Sequence, residues 1–152
     1  MDLPIIKETI YKQCKALLST QIEALETNLK SIVESRDNET KSSVGDKYET
    51  GRAMMQLEFQ KVQSQLNRVK ADYSELQSYD LNRKVSKVDK GCIVLTDQGI
   101  YFISVALGKV KVKDEIYFCI SLASPIGKLL QQKVVNDQVA FNGKTIRILE
   151  IA

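Results

Sequence analysis

The sequence predicts an α+β protein in which an antiparallel coiled-coil hairpin is followed by a small antiparallel β domain with one short helix. Two helical patterns of apolar residues fill the first half of the chain, and they mirror each other about a point between Ser43 and Val44. The apolar period then changes from helical to strand-like. We therefore predict a hairpin over residues 1–80, with its tip near 37–48, and a β-rich domain over residues 81–152.

Apolar residues recur at steps of three or four along both predicted helices, which is the spacing of a coiled-coil seam. The first ladder is Tyr11, Cys14, Leu18, Ile22, Leu25, Leu29 and Ile32, and the second is Met55, Phe59, Val62, Leu66, Val69, Tyr73 and Leu76. Outward from the turn, the first rung pairs Ile32 with Met55. A later rung pairs Ile22 with Leu66. Positions mirrored in this way meet in an antiparallel hairpin, because its two arms run in opposite directions.

The two predicted helices run from about Pro4 to Arg36 and from near Asp46 to about Tyr79. Pro4 suits the first turn of a helix. The segment from Asp37 to Asp46 is polar and contains turn-forming residues, so we expect it to be the connection. Each arm has roughly 30 residues, or about 45 Å of helix. A long hairpin with a charged tip is suited to reaching into another molecule.

Short β-branched and aromatic runs, separated by turn-forming residues, dominate the second half of the chain. Asp97-Gln98-Gly99 joins two such runs, and Asn142-Gly143 joins the last two through a predicted type I′ turn. The run from Ile116 to Ile120 suits a central strand. Ser124-Pro125 opens the short helix, with serine as the N-cap and proline at the first helical position.

Composition removes several classes of site. The chain has no histidine, which excludes the commonest general base and most transition-metal sites. Cys14, Cys92 and Cys119 are far apart in the sequence and lie in apolar patterns, so we expect reduced, buried thiols and neither a disulfide framework nor a zinc site. Residues 1–80 carry 11 basic and 13 acidic side chains and residues 81–152 carry 11 and 6, too little charge for wrapping nucleic acid.

We expect no signal peptide, and the sequence has no apolar stretch long enough to span a membrane. We therefore expect a cytoplasmic protein with no membrane partner.

Three segments of the second half carry recognisable motifs. Residues 120–130 are Ile-Ser-Leu-Ala-Ser-Pro-Ile-Gly-Lys-Leu-Leu, residues 133–139 are Lys-Val-Val-Asn-Asp-Gln-Val, and residues 146–151 are Ile-Arg-Ile-Leu-Glu-Ile. In this order they resemble three motifs of the bacterial GreA/GreB transcript cleavage factors: Ser-Pro-Leu-Gly with the apolar helix that follows it, Lys-x-Val-Gly-Asp-x-Val, and the closing Tyr-x-Ile-Leu-Glu-Ile. Together with the hairpin, the resemblance covers nearly the whole chain.

The resemblance implies an FKBP-like fold for residues 81–152 and a role on RNA polymerase. The β domain would dock on the polymerase while the hairpin enters its secondary channel and stimulates cleavage of backtracked RNA. The protein would not itself be an enzyme. Its partner would be RNA polymerase, with nascent RNA reached only indirectly and no small-molecule substrate. The residues expected to contact the polymerase are Arg36, Lys41, Tyr48, Arg52, Ser124, Pro125 and Lys128.

The tip departs from the family pattern, Asp-Leu-x-Glu-Asn-x-Glu-Tyr, whose first Asp and Glu help to hold a metal ion at the polymerase active site. Tyr48 matches the tyrosine and Glu39 stands for the first acid, but Ser42 falls where the second acid belongs. Asp46 lies across the turn, so Glu39 and Asp46 are the candidate pair to share Mg²⁺ with the polymerase, and no cofactor is expected on the protein alone. Asp46 and Glu49 also suit a capping box at the start of the second helix, and for these two residues the capping role is the favoured one.

Three other functions stay open at this stage. A Gre-like regulator would occupy the channel and inhibit the polymerase without cleaving RNA. An FKBP-like prolyl isomerase would need an aromatic-lined pocket, and the chain has no tryptophan. A coiled-coil adaptor would bind other helices through the side of the hairpin.

Overall fold

Two long helices, six strands and one short helix make up the described part of the chain. The structure is a computed structural model that describes residues 1–42 and 46–152, and the side chains of residues 1–38 and 49–152. In chain order the elements are α1 (Leu3–Ser42), α2 (Asp46–Gln77), β1 (Ile93–Thr96), β2 (Gly99–Ile103), β3 (Gly108–Val112), β4 (Glu115–Ile120), α3 (Pro125–Leu130), β5 (Gln138–Phe141) and β6 (Lys144–Ile151). The predicted α+β class, with a helical hairpin before a sheet that carries a short helix, is confirmed.

Helices α1 and α2 pair within Leu17–Tyr73, which is one of two compact units of the chain. The Lys70 Nζ atom lies 3.5 Å from Glu26 Oε1. The Arg36 guanidinium lies over the ring of Phe59, 6.0 Å from its centroid. Both contacts join the first helix to the second, as the predicted hairpin requires.

The individual rungs of the seam stay a prediction. The ion pair joins residues four positions beyond both members of the predicted rung of Ile22 and Leu66. The cation–π contact joins residues four positions beyond both members of the rung of Ile32 and Met55. A helical side chain leans toward the N-terminus of its own helix, which accounts for part of this offset. Leu66 is buried and the other three are half-buried, as expected along a seam.

Helix α1 is longer than the sequence predicts. The prediction that it ends near Arg36 is wrong, because the helix continues to Ser42. The chain contains no glycine or proline between Arg36 and Gly45, so the strongest helix-breaking residues are missing from this segment. Helix α2 begins at Asp46, as predicted, and ends at Gln77, close to its predicted end.

The strands of the described chain form one sheet in the order β3-β4-β2-β1-β6-β5. Neighbouring strands are antiparallel except β2 and β4, which run parallel with Phe102 beside Cys119. The prediction of an antiparallel sheet is wrong for this pair, because β3 folds back as the edge strand and places β4 next to β2. The β5–β6 turn is confirmed, since Asn142 and Gly143 have φ angles of 50° and 75°, as a type I′ turn needs.

One face of the sheet is covered by α3. Ile126 and Leu130 of this helix pack in a core cluster with Val94 of β1 and Ile148 of β6. Cys92, just before β1, belongs to the same cluster.

The start of α1 belongs to the same compact unit as the sheet, which combines Met1–Ala16 with Ser74–Ala152. Leu3, Lys7, Ile10 and Cys14 are buried at steps of four, three and four, a single face of the helix. The Cys14 sulfur contacts Cys119 of β4, on the face of the sheet opposite α3. Compactness thus groups the start of α1 and the end of α2 with the sheet, whereas the sequence-based boundary near residue 80 divides the chain by type of element.

Lys7 is the one lysine among the buried residues of the described chain, with 4% of its surface exposed. Its pKa is lowered chiefly because burial disfavours the ammonium form. A lowered pKa in the folded state means that the charged amine opposes folding at neutral pH. This penalty is relieved as the pH rises through the folded-state pKa toward the usual value of 10.5.

We expect Lys7→Met to stabilise the protein by about 1 kcal/mol near neutral pH, because methionine keeps the apolar stem and removes the buried charge. The gain should shrink at about pH 10, where wild-type Lys7 no longer carries a full charge. Urea unfolding at both pH values measures it. Lys12→Met is the matched control, because Lys12 is exposed and pairs with Glu8 at 2.9 Å. A stabilisation that does not depend on pH would contradict this account.

Candidate functional site

The predicted site residues lie in two places, the closed end of the hairpin and the start of α3. The hairpin end belongs to the unit Leu17–Tyr73, and α3 belongs to the unit that contains the sheet. Each place is therefore described by its own contacts.

Among the predicted basic contact residues at the closed end of the hairpin, Arg36 and Arg52 have described side chains. The Arg36 Nε atom lies 4.0 Å from Asp37 Oδ1, and the guanidinium lies over the Phe59 ring. A cation–π contact at a partly exposed site contributes about 0.5–1 kcal/mol. Arg36 therefore helps to close the end of the seam, and its charge also stays accessible because its side chain is 33% exposed. Arg52 is exposed on α2.

The structure describes the side chains of only some of the predicted and acidic residues at the closed end of the hairpin. Four predicted site residues have side chains outside the described residues: Glu39, Lys41, Asp46 and Tyr48. Asp37 and Glu49 are described and exposed. Among the described side chains, no three acidic or thiol groups come together as a metal site would require. Sharing of Mg²⁺ through Glu39 and Asp46 stays a prediction.

The start of α3 is held by a serine cap, as the sequence predicts. The Ser124 Oγ atom accepts a hydrogen bond from the Gly127 N–H at 3.1 Å and donates one to the Ser121 carbonyl at 2.6 Å. Pro125 occupies the first turn, where its missing N–H costs nothing. The hydroxyl of Ser124 thus has a structural role, whereas Pro125 and Lys128 are exposed and accessible to a partner.

Gly127 brings the backbone of α3 against the segment before it. A Cβ atom at this position would lie 2.0 Å from the Ser121 carbonyl oxygen and 2.9 Å from the Leu122 Cα atom. Both neighbours are backbone, so neither yields easily. From the sequence, Gly127 stands out only as part of the Ser-Pro-Ile-Gly motif, although a glycine inside a short helix is itself a sign of close packing.

Exposed apolar side chains near α3 are a feature that the sequence analysis missed. Leu129, Val134 and Val135 are 39%, 38% and 42% exposed. Single exposed apolar residues are common, but several in one short segment beside the exposed Lys128 suit a surface that contacts a partner. In the sequence, the apolar pair Val134-Val135 after the short helix was the feature that could have predicted this surface.

The aromatic residues of the sheet pack against each other. The rings of Tyr101 and Phe118 stack with centroids 5.2 Å apart, and Tyr101 is buried in the core. Each ring therefore covers a face of the other. This packing gives no support to a prolyl isomerase site built from these two residues.

We expect Gly127→Ala to destabilise the protein by about 2–4 kcal/mol, because the added methyl group collides with backbone atoms. Thermal or urea unfolding measures the change. Lys128→Ala is the matched control, since it alters an exposed position of the same helix and should shift stability by less than about 0.5 kcal/mol. Equal stability of the Gly127→Ala protein and wild type would show that the contact with Ser121 is not tight.

None of the described helices has a stretch that is both long and apolar enough to cross a bilayer.

Comparison with known proteins yields no match to a protein-family model and no match to a curated protein sequence. Among solved structures, that of the transcription factor Gfh1 is similar to this chain, with a TM-score of 0.40 and 18% sequence identity. The match covers 92% of this chain and 94% of that chain. At this identity and TM-score, the likeness does not by itself assign a function.

Proposed function

We propose that this protein is a transcription elongation factor of the Gre type, which binds RNA polymerase and acts on it through the closed end of its hairpin. The observation that carries the proposal is the antiparallel pairing of α1 and α2. This pairing brings the charged segment between Arg36 and Arg52 to one end of two long helices. The resemblance of segments 120–130, 133–139 and 146–151 to the family gives independent support from the sequence.

The bounds of the two helices support a role for both candidate acids at the closed end of the hairpin. Glu39 lies in the last turn of α1, and Asp46 is the first residue of α2. Hydrolysis of a phosphodiester in the polymerase would use Mg²⁺ to activate water, and two carboxylates are suitable ligands for that ion. We propose that Glu39 and Asp46 supply these carboxylates. Asp46 would at the same time favour the start of α2, because a negative charge is stabilised at a helix N-terminus.

Docking of the sheet unit would use the surface around α3. Pro125 and Lys128 are exposed there, and the exposed side chain of Leu129 lies on the same short helix. The second half of the chain carries 11 basic and 6 acidic side chains, which suits an acidic surface on the polymerase. Apolar contacts would supply affinity, and the lysine would favour the orientation of the complex.

A pull-down with purified RNA polymerase tests the proposed binding. We expect wild-type protein to be retained, and we expect Arg52→Glu and Lys128→Glu each to weaken binding by about tenfold, since each reverses an exposed charge at a proposed contact. Lys61→Glu is the matched control, because it reverses an exposed lysine of α2 away from the hairpin end. No retention of wild-type protein at low salt would refute the proposal, as would an equal loss with Lys61→Glu.

An RNA cleavage assay on backtracked polymerase complexes tests the proposed role of the tip. We expect wild-type protein to accelerate shortening of the RNA and Glu39→Ala to slow it by about 10–100-fold, with partial recovery at raised Mg²⁺ because the lost carboxylate helps to recruit the ion. Glu58→Ala, which removes an exposed acid elsewhere on α2, should leave the rate unchanged. Polymerase binding without any cleavage above background would reject the cleavage role and favour the non-cleaving regulator.

A further inference from the structure

Cys14 and Cys119 form a thiol pair that spacing in the sequence does not reveal. The residues are 105 positions apart, yet their Sγ atoms lie 3.3 Å from each other. Both side chains are fully buried and both thiols are free. A disulfide has a sulfur–sulfur distance of about 2.05 Å, so the two atoms need to approach by only about 1.3 Å more.

We propose that Cys14 and Cys119 are a redox modification site, which a peroxide converts into an intramolecular disulfide joining α1 to β4. The pair lies within one compact unit, because Met1–Ala16 and Ser74–Ala152 belong together. The bond would therefore tie the start of the first helix to the sheet it packs on.

The hydrogen bond between the sulfurs gives them different roles. When Cys119 donates its S–H to the Cys14 sulfur, the bond stabilises the thiolate of Cys14 and lowers its pKa, although burial opposes this. The same bond raises the pKa of Cys119, and burial raises it further. The thiolate is the nucleophilic form of cysteine. With the bond in this direction, Cys14 is the attacking residue and Cys119 the resolving one. Either sulfur can be the donor, and the opposite direction exchanges the two roles without changing the disulfide that forms.

The reaction with hydrogen peroxide balances as follows. The Cys14 thiolate attacks one peroxide oxygen, the O–O bond breaks, and the products are a sulfenic acid and hydroxide, which takes up the proton lost by the thiol to form water. The Cys119 sulfur then attacks the Cys14 sulfur, the S–O bond breaks, and a second water leaves with the Cys119 proton. The two sulfurs are oxidised by two electrons in total, and the peroxide is reduced to two molecules of water.

The third cysteine is positioned as a control. Side chains alternate between the faces of a sheet, and the pairing of Ile93 with Phe102 and of Phe102 with Cys119 places these three on one face. Cys92 precedes Ile93 and packs in the cluster on the other face. Its sulfur accepts a hydrogen bond from the Asp89 N–H at 3.4 Å. The sheet therefore separates Cys92 from the Cys14–Cys119 pair.

Oxidation should stabilise the unit that contains the sheet. A disulfide restricts the unfolded chain most when it closes a long loop, and this one spans 105 residues. For a chain of this size we expect a rise in Tm of about 10 °C. A thiol reductant should reverse the shift. Because both sulfurs are buried, peroxide reaches them when α1 opens transiently from the sheet.

The test treats the full-length protein with hydrogen peroxide under native conditions, quenches with an alkylating reagent in denaturant, and maps the peptides by mass spectrometry. We expect a peptide linked through Cys14 and Cys119, an alkylated Cys92, and a rise in Tm that a thiol reductant abolishes. Cys92→Ser should form the same linkage at the wild-type rate. Cys14→Ala and Cys119→Ala should form no linkage, and circular dichroism reports whether they fold.

The wild-type peptide map decides the question even if either alanine variant fails to fold. Linkage between Cys14 and Cys119 that predominates in the native protein, and gives way to mixed pairings with Cys92 in urea, supports the proposal. Linkage that forms only in urea overturns it, as does native oxidation of Cys14 to a sulfinic acid without linkage. These readouts do not involve RNA polymerase, so their failure would leave the proposed function unaffected.

Discussion

The structure depends first on the burial of an apolar seam that no single helix can cover in water. Ile22 and Ile32 lie on the apolar face of α1, and Met55 and Leu66 lie on that of α2. Leu66 is buried and the other three are half-buried. Full burial of one such side chain contributes about 1.5–3 kcal/mol. The ion pair beside the seam contributes at most about 1 kcal/mol, because its side chains are about half exposed. Apolar burial therefore contributes more to holding the hairpin together than this ion pair does.

Helix α1 contributes residues to both compact units. Beyond Leu17 its apolar residues pair with α2, whereas Leu3, Ile10 and Cys14 are buried in the unit that contains the sheet. The same apolar period serves both environments, because either partner only requires one apolar helix face. Cys14 shows the difference most clearly, since it occupies a seam position in the sequence but contacts a strand in the structure.

In the proposed function, the two units have different roles. The hairpin supplies paired helices with Arg36 and Arg52 at its closed end, where the candidate acids also lie. The sheet unit supplies α3, whose Ser124 cap and close Gly127 packing fix the position of the exposed Lys128. In the motif Ser-Pro-Ile-Gly-Lys of residues 124–128, the serine and the glycine thus have structural roles. The proline and the lysine are exposed and available to a partner.

The sequence by itself determined those features that depend on near neighbours in the chain. It predicted the two long helices of the hairpin, the Asn142-Gly143 turn and the Ser124 cap, because periodicity, backbone preference and capping all act within a few residues. It failed at the end of α1, where polar residues typical of a connection continue the helix. Only the tertiary structure decided the parallel pairing of β2 with β4, the contact of Gly127 with Ser121 and the approach of Cys14 to Cys119. The pairing and the thiol contact join segments distant in sequence, and all three depend on how the elements pack in space, which no local pattern of residues records.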